Sequence, residues 1–115
     1  MTGTSIDGAA FEELQQTAGA EFVTELVDTF LTEAPLMLAE LRSALADGNS
    51  DRFRRAAHSL KSNSNTFGAT ALGAMARELE LTAADRVAAA DTHALDALAE
   101  EYRRVAAALK ELSRA

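Results

Sequence analysis

The chain of 115 residues has no cysteine, no tryptophan, one proline and six glycines. Without cysteine it forms no disulfide and carries no thiolate chemistry, and with only two histidines we expect no structural zinc site. Valine and isoleucine are also scarce, since four Val and one Ile stand against 26 Ala and 15 Leu. Strands favour β-branched and aromatic residues, whereas helices favour alanine and leucine. The composition therefore predicts an all-α protein.

Other absences limit where the protein is located and what it binds. No apolar run approaches the roughly 18 residues of a membrane span, and no basic segment precedes an apolar stretch as in a signal peptide. The net charge of −7 argues against nucleic-acid binding, which needs a basic face. We expect a single cytoplasmic domain over residues 1–115 that binds neither membrane nor nucleic acid.

The charge is unevenly distributed. Residues 1–50 carry nine acids and one base, whereas residues 51–115 carry nine acids and ten bases. The sharpest reversal is in residues 51–61, where Arg52, Arg54, Arg55 and Lys61 accompany a single acid, Asp51. This segment is either an ordinary solvated helix face or a site for one particular anionic group.

Apolar residues recur at steps of three and four along most of the chain. The pattern predicts helices over about 6–17, 20–47, 50–67, 70–88 and 92–113, with residues 1–5 frayed. Short loops make successive helices antiparallel. The expected fold is an up-down antiparallel four-helix bundle with a short extra N-terminal helix. Since no long heptad seam requires a second chain, we expect a monomer.

Three local signals refine these helices. Asp7 is a suitable N-cap for the first helix. Pro35 lies inside the second and predicts a kink or a brief break over residues 31–35. The polar run from Ser62 to Thr66 disfavours helix, so the third helix ends near Lys61 on one interpretation. On the interpretation we favour, it continues to Phe67 and stops at Gly68.

Most familiar sites of chemistry are missing. The sequence has no glycine-rich phosphate loop, metal-ligand cluster or hydrolase motif. Glu78 and Glu80 are two residues apart, which puts them on different helix faces and makes them a poor acid/base pair. His93 begins a helix without basic neighbours, and we interpret it as an ordinary surface residue. His58 remains.

His58 lies on the polar side of its predicted helix. On a helical wheel the apolar residues face away from it. Six polar or charged residues fall within about 60° of it: Asp51, Arg54, Arg55, Lys61, Ser62 and Asn65. An exposed imidazole beside cations suits a nucleophile that accepts a phosphoryl group. Lys61, at i+3, offers an ammonium to the phosphoryl oxygens, and the short Ser62, at i+4, leaves the ring edge open.

Residues 57–69, AHSLKSNSNTFGA, resemble the signature of histidine-containing phosphotransfer (HPt) domains, roughly H-x-L-K-G-[SA]-[SA]-x-x-[LF]-G-A. Ser62 departs from the usual glycine, and Asn63 from the usual small residue. The likeness extends over nearly the whole chain, including residues 30–35, Gly48 and residues 76–80. The matching positions in the signature are His58, Leu60, Lys61, Ser64, Phe67, Gly68 and Ala69.

The resemblance implies a carrier in a multistep phosphorelay. His58 would take a phosphoryl group from an aspartyl phosphate on a receiver domain, or from a kinase, and pass it to a response-regulator aspartate. The expected partners are receiver domains and a hybrid sensor histidine kinase. Mg²⁺ would belong to the receiver, so no cofactor of the chain's own is expected. The docking surface would combine Arg54, Arg55, Ser62 and Asn65 with exposed residues of helix 20–47 or 70–88.

Two alternatives stay open. A helical module could bind receivers or kinases without carrying phosphate, although such a module would be expected to lose His58 or Lys61, and this chain keeps both. The chain could also be the phosphotransfer part of a chemotaxis-type kinase. Its Met1 and its ending after the last helix favour a stand-alone protein.

Overall fold

The computed structural model describes residues 6–114, apart from the side chain of Arg114, and within that range it contains helices and no strands. The all-α prediction is confirmed, whereas the predicted fraying of residues 1–5 lies outside the described residues. The helices are α1 (Gly8–Ala18), α2 (Ala20–Asp47), α3 (Ser50–Thr66), α4 (Thr70–Leu81), α5 (Ala83–Ala89) and α6 (Thr92–Arg114).

Four of these helices enclose the core. Helix α3 packs against α2 and α4, and α6 packs against α2 and α4 on the other side. Contacts between side chains show that neighbours are antiparallel, because later residues of one helix meet earlier residues of the next. Leu41, Phe53, Leu60, Leu72, Leu98 and Leu109 are among the fully buried side chains of this core.

Of the kink or brief break predicted at residues 31–35, the break is wrong, because α2 runs continuously through Pro35. Proline lacks the N–H that would bond to the carbonyl of Leu31, four residues earlier. The hydroxyl of Tyr102, on α6, donates to that carbonyl at 3.4 Å. Pro35 itself is exposed. Tertiary packing thus offsets a local helix breaker.

The predicted helix over 70–88 is wrong in one respect, because it divides into α4 and α5 at Thr82. The Thr82 hydroxyl donates to the carbonyl of Glu78 at 2.7 Å, a bond typical of bent helices. The same hydroxyl accepts from Arg86 Nε at 3.0 Å. Arg86 also pairs with Asp91, at 2.7 Å. It therefore links Thr82, at the division between the two helices, to the segment that follows α5.

Helix α3 continues through its polar run to Thr66, as the favoured interpretation predicted. The buried hydroxyl of Ser64 is satisfied within the helix, since it donates to the Leu60 carbonyl at 2.7 Å. The chain then turns at Gly68 with φ of 77°, a backbone conformation that residues other than glycine rarely adopt. A side chain there would also come within 3.0 Å of Ala10 on α1. Gly68 therefore allows α1 to close over the end of α3.

Candidate functional site

The centre of α3 presents His58 to solvent from a rigid support. Ala57 and Leu60, on either side of it in sequence, are completely buried. The imidazole is 55% exposed, as the helical wheel predicted. Since the helix backbone is held by its buried face, the ring occupies a defined position at the surface.

Helix α4 contributes a carboxylate to this histidine. Glu80 Oε2 lies 2.8 Å from His58 Nδ1, and Glu80 Oε1 lies 3.0 Å from Lys61 Nζ. The Glu80 side chain is only 17% exposed. His58, Glu80 and Lys61 therefore form one charged group across the α3–α4 interface, which we call the His58 cluster.

The charge state of Glu80 fixes the chemistry of the ring. The Lys61 ammonium and then the His58 ring lower the pKa of Glu80 against the effect of burial, which raises it. An ionised carboxylate only accepts hydrogen bonds, so Nδ1 of His58 is the nitrogen that carries the proton. In the neutral ring Nε2 then keeps its lone pair. The cluster leaves one nucleophilic nitrogen on a half-exposed ring.

Sequence reasoning missed Glu80, which it considered only as a partner of Glu78. The signal was in the register of the hairpin formed by α3 and α4. His58 and Glu80 are symmetric about residue 69, next to the Gly68 turn, and Asn65 and Gly73 are symmetric about the same point. The Asn65 amide occupies the space where a side chain at Gly73 would lie, within 2.2 Å of its β-carbon position. Gly73 therefore lets the two helices approach closely enough for Glu80 to reach His58.

The basic segment 51–61 carries no excess of charge in three dimensions. Arg54 and Arg55 both pair with Asp51, at 2.6 and 3.1 Å. Arg52 instead turns to α2, where it pairs with Glu40 and Asp47, each at 2.8 Å. Lys61 pairs with Glu80, so each base of this segment has an acidic partner. The net positive patch suggested by the sequence is thus balanced by acids from α2 and α4.

The remaining predicted site residues are at the surface. Ser62 and Asn65 are exposed on α3, so the fold brings them to the same side as His58. A groove of about 410 Å³ runs between α2 and α3, and it is lined by Leu36, Met37 and Ala56 with charged rims. Ser59, next to His58 in sequence, belongs to this groove, and Leu36 is 65% exposed.

Other candidate chemistry is not assembled. His93 is exposed at the start of α6, remote in sequence from the His58 cluster. Among the described residues, no group of three or more His, Asp or Glu side chains is placed to hold a metal ion. None of the helices described is long and apolar enough to cross a membrane.

Comparison with known proteins identifies the class. Residues 25–113 match the model of the Hpt domain family, a span that includes His58, Lys61 and Glu80. The chain therefore belongs to the Hpt domain family. Members of this family are phosphocarrier modules of two-component signalling rather than enzymes, and they act together with receiver and kinase domains.

A solved structure is similar over the whole fold. It is the crystal structure of histidine-containing phosphotransfer protein B (HptB) from Pseudomonas aeruginosa, 27% identical, with a TM-score of 0.83. The match covers 96% of this chain and 95% of that one. A search of curated proteins finds no match. The predictions of an HPt relationship and of a helical fold are confirmed, and the protein has a histidine phosphotransfer role in two-component signalling.

Proposed function

We propose that His58 is the phosphoacceptor and that the protein carries a phosphoryl group between receiver domains. The observation that carries this proposal is the state of the ring, which is half exposed, bonded through Nδ1 to Glu80 and, among residues 6–114, without a partner at Nε2. Family membership supports the same histidine, because the matching segment contains the His58–Lys61 signature.

The transfer follows from that geometry. The Nε2 lone pair attacks the phosphorus of an aspartyl phosphate, a nitrogen–phosphorus bond forms, and the bond from phosphorus to the aspartate oxygen breaks. The aspartate leaves as a carboxylate, and the ring, still protonated at Nδ1, acquires a positive charge. That charge develops 2.8 Å from the Glu80 carboxylate, which stabilises it. The reverse step delivers the phosphoryl group to the aspartate of a second receiver.

The partner supplies the rest of the chemistry. We propose that the donor and acceptor are receiver domains, with a hybrid sensor histidine kinase upstream, and that Mg²⁺ is held by the receiver. The chain then needs no cofactor of its own. Lys61 contributes positive charge at the acceptor, either on the phosphoryl oxygens, as the sequence predicts, or on Glu80, where the structure has it.

The docking surface surrounds the acceptor on α3. Arg54, Arg55, Ser62 and Asn65 are all exposed on this helix and are proposed to contact the partner. Of the two neighbouring helices that the sequence left open, we propose α2. The groove between α2 and α3 reaches Ser59 and offers the exposed Leu36 to an apolar side chain of the receiver.

The test is transfer of label from phosphorylated receiver domains. A panel of receivers, each labelled on its aspartate, is mixed with the protein, and the label on the protein is followed after rapid quenching. We expect an acid-labile, base-stable phosphoramidate on wild-type protein and on His93→Gln, and none on His58→Gln. Labelling of His58→Gln, or binding of receivers without any labelling of the wild type, would refute the carrier function. The second result would favour the non-phosphorylated interaction module.

A further inference from the structure

Lys61 is already engaged in the resting protein. Its ammonium is 3.0 Å from Glu80 Oε1, and its side chain is only 23% exposed. Glu80 Oε1 is buried, and within the described part of the chain it has no hydrogen-bond partner to replace the ion pair with Lys61. The lysine is thus the charge that balances a buried carboxylate oxygen.

Moving Lys61 to a phosphoryl group would leave that oxygen without a partner. A carboxylate that has been largely withdrawn from water depends on its counter-ion, so loss of the ion pair destabilises its charged form. The same carboxylate holds His58 through its other oxygen, at 2.8 Å. Displacement of Lys61 would therefore disturb the orientation of the imidazole at the moment when it reacts.

The arginines on the other side of His58 are in a different situation. Arg54 and Arg55 lie three and four residues before it, which is one helical turn. Both pair with Asp51, whose side chain is 59% exposed. Exposed ion pairs contribute little stability, and water solvates Asp51 when an arginine leaves it. These guanidinium groups can turn to a phosphoryl group without exposing a buried charge.

We propose that Lys61 is a positioning residue that acts through Glu80, and that Arg54 and Arg55 are the cations that meet the phosphoryl oxygens. Lys61 keeps Glu80 ionised and in place, Glu80 keeps the proton of His58 on Nδ1, and Nε2 is thereby left free to react. This inference rests on the proposed carrier function, and it replaces the direct contact between Lys61 and phosphate that the sequence alone suggests.

The first test is a double-mutant cycle in the rate of transfer. Single-turnover transfer from one labelled receiver is compared for wild type, Lys61→Ala, Glu80→Gln and the double variant. If Lys61 acts through Glu80, both single variants are slow, and the double variant transfers within about twofold of the slower one. Arg55→Ala combined with Glu80→Gln is the matched control, and there the two defects should multiply. Multiplying defects for Lys61→Ala with Glu80→Gln would overturn the proposal.

The second test needs neither phosphate nor a partner. Nitrogen-15 NMR of the His58 ring reports which nitrogen carries the proton. We expect Lys61→Ala to shift this tautomer balance, Lys61→Arg to restore it, and Arg55→Ala to leave it unchanged. Circular dichroism establishes that each variant is folded. An unchanged ring in Lys61→Ala would refute the positioning role even if no receiver labelled the wild type, so failure of this proposal is distinct from failure of the carrier function.

Discussion

Helix α3 is joined to its two neighbours by charged clusters of different construction. Towards α2, the guanidinium of Arg52 bonds to Glu40, Asp47 and Ser43 and uses all three of its nitrogens. Towards α4, the His58 cluster satisfies Nδ1 of the ring and leaves Nε2 without a partner within the described residues. In the first cluster the guanidinium group makes four hydrogen bonds to side chains of α2. The second holds a nucleophile in place while one of its nitrogens stays available.

The difference shows how charge serves two purposes on one helix. The Arg52 cluster joins two helices through four hydrogen bonds of one guanidinium group. A cluster with one open position fixes a reactive atom and exposes it to a partner. Replacing single members of the two clusters should therefore affect different measured quantities, which the following predictions use.

The largest expected effect separates transfer from folding. His58→Gln should abolish labelling while changing the free energy of unfolding by no more than about 1 kcal/mol, because it removes one half-exposed hydrogen bond. Arg52→Ala should lower the melting temperature and reduce labelling without abolishing it, because Arg52 joins α3 to α2 and also lines the groove between these helices. Labelling kinetics and thermal unfolding measure the two effects. Arg42→Ala, which breaks one exposed pair with Asp96, is the control for arginine removal and should lower the melting temperature less.

The next effect concerns the two flanks of α3. Leu36, on α2, and Leu81, on α4, are 65% and 63% exposed, so they form a matched pair. If the receiver covers the groove between α2 and α3, Leu36→Ala should weaken its binding by roughly fivefold or more, as for a residue that contributes at least 1 kcal/mol. Leu81→Ala should leave the dissociation constant unchanged. Calorimetric titration with the receiver that labels the wild type decides, and the opposite pattern would move the interface to α4.

A smaller effect is expected at Ser62, the position where the chain departs from the family signature. Ser62→Gly should cost roughly 0.5–1 kcal/mol of stability, because glycine is unfavourable inside a helix. Transfer should be retained or faster, since the edge of the imidazole becomes more open. Urea unfolding and single-turnover labelling measure the two quantities. A folded Ser62→Gly protein that fails to transfer would show that the hydroxyl, rather than the small size of the side chain, matters here.

The smallest effect is the response to acid. Glu80 has its pKa lowered below the ordinary value of 4.5, first by Lys61 and then by His58. A carboxyl whose pKa is lower in the folded state stabilises the fold above its unfolded pKa, and this contribution is lost as the pH falls through the folded value. Urea midpoints should therefore show wild type more stable than Glu80→Gln at pH 7, and the difference should disappear in strong acid. A difference that persisted there would mean that packing, rather than charge, joins Glu80 to α3.

Local sequence patterns were sufficient for much of the fold and for the acceptor itself. Asp7 caps α1, as its side chain and position predicted. The exposed position of His58 followed from the period of the helix. The bounds of α2 were predicted correctly, but the break considered near Pro35 is wrong, and the Tyr102 hydroxyl bonds to the carbonyl that the proline leaves without a donor. The division at Thr82, where the side chain bonds to the Glu78 carbonyl, was not predicted. The expectation of a monomer stays a prediction, which sedimentation of the purified protein can test.

The sequence by itself determined that the chain is helical, that His58 lies on a polar face with basic neighbours, and that the segment around it has the HPt signature. These properties depend on residues within a few turns of each other, and the period of the helix places such residues without knowledge of the rest. The tertiary structure decided which acid each base meets and which nitrogen of His58 remains free. Glu80 is 22 positions from His58 in the sequence. It reaches the ring because the turn at Gly68 and the close approach at Gly73 set the register of two helices, a relation between distant residues that no local pattern contains.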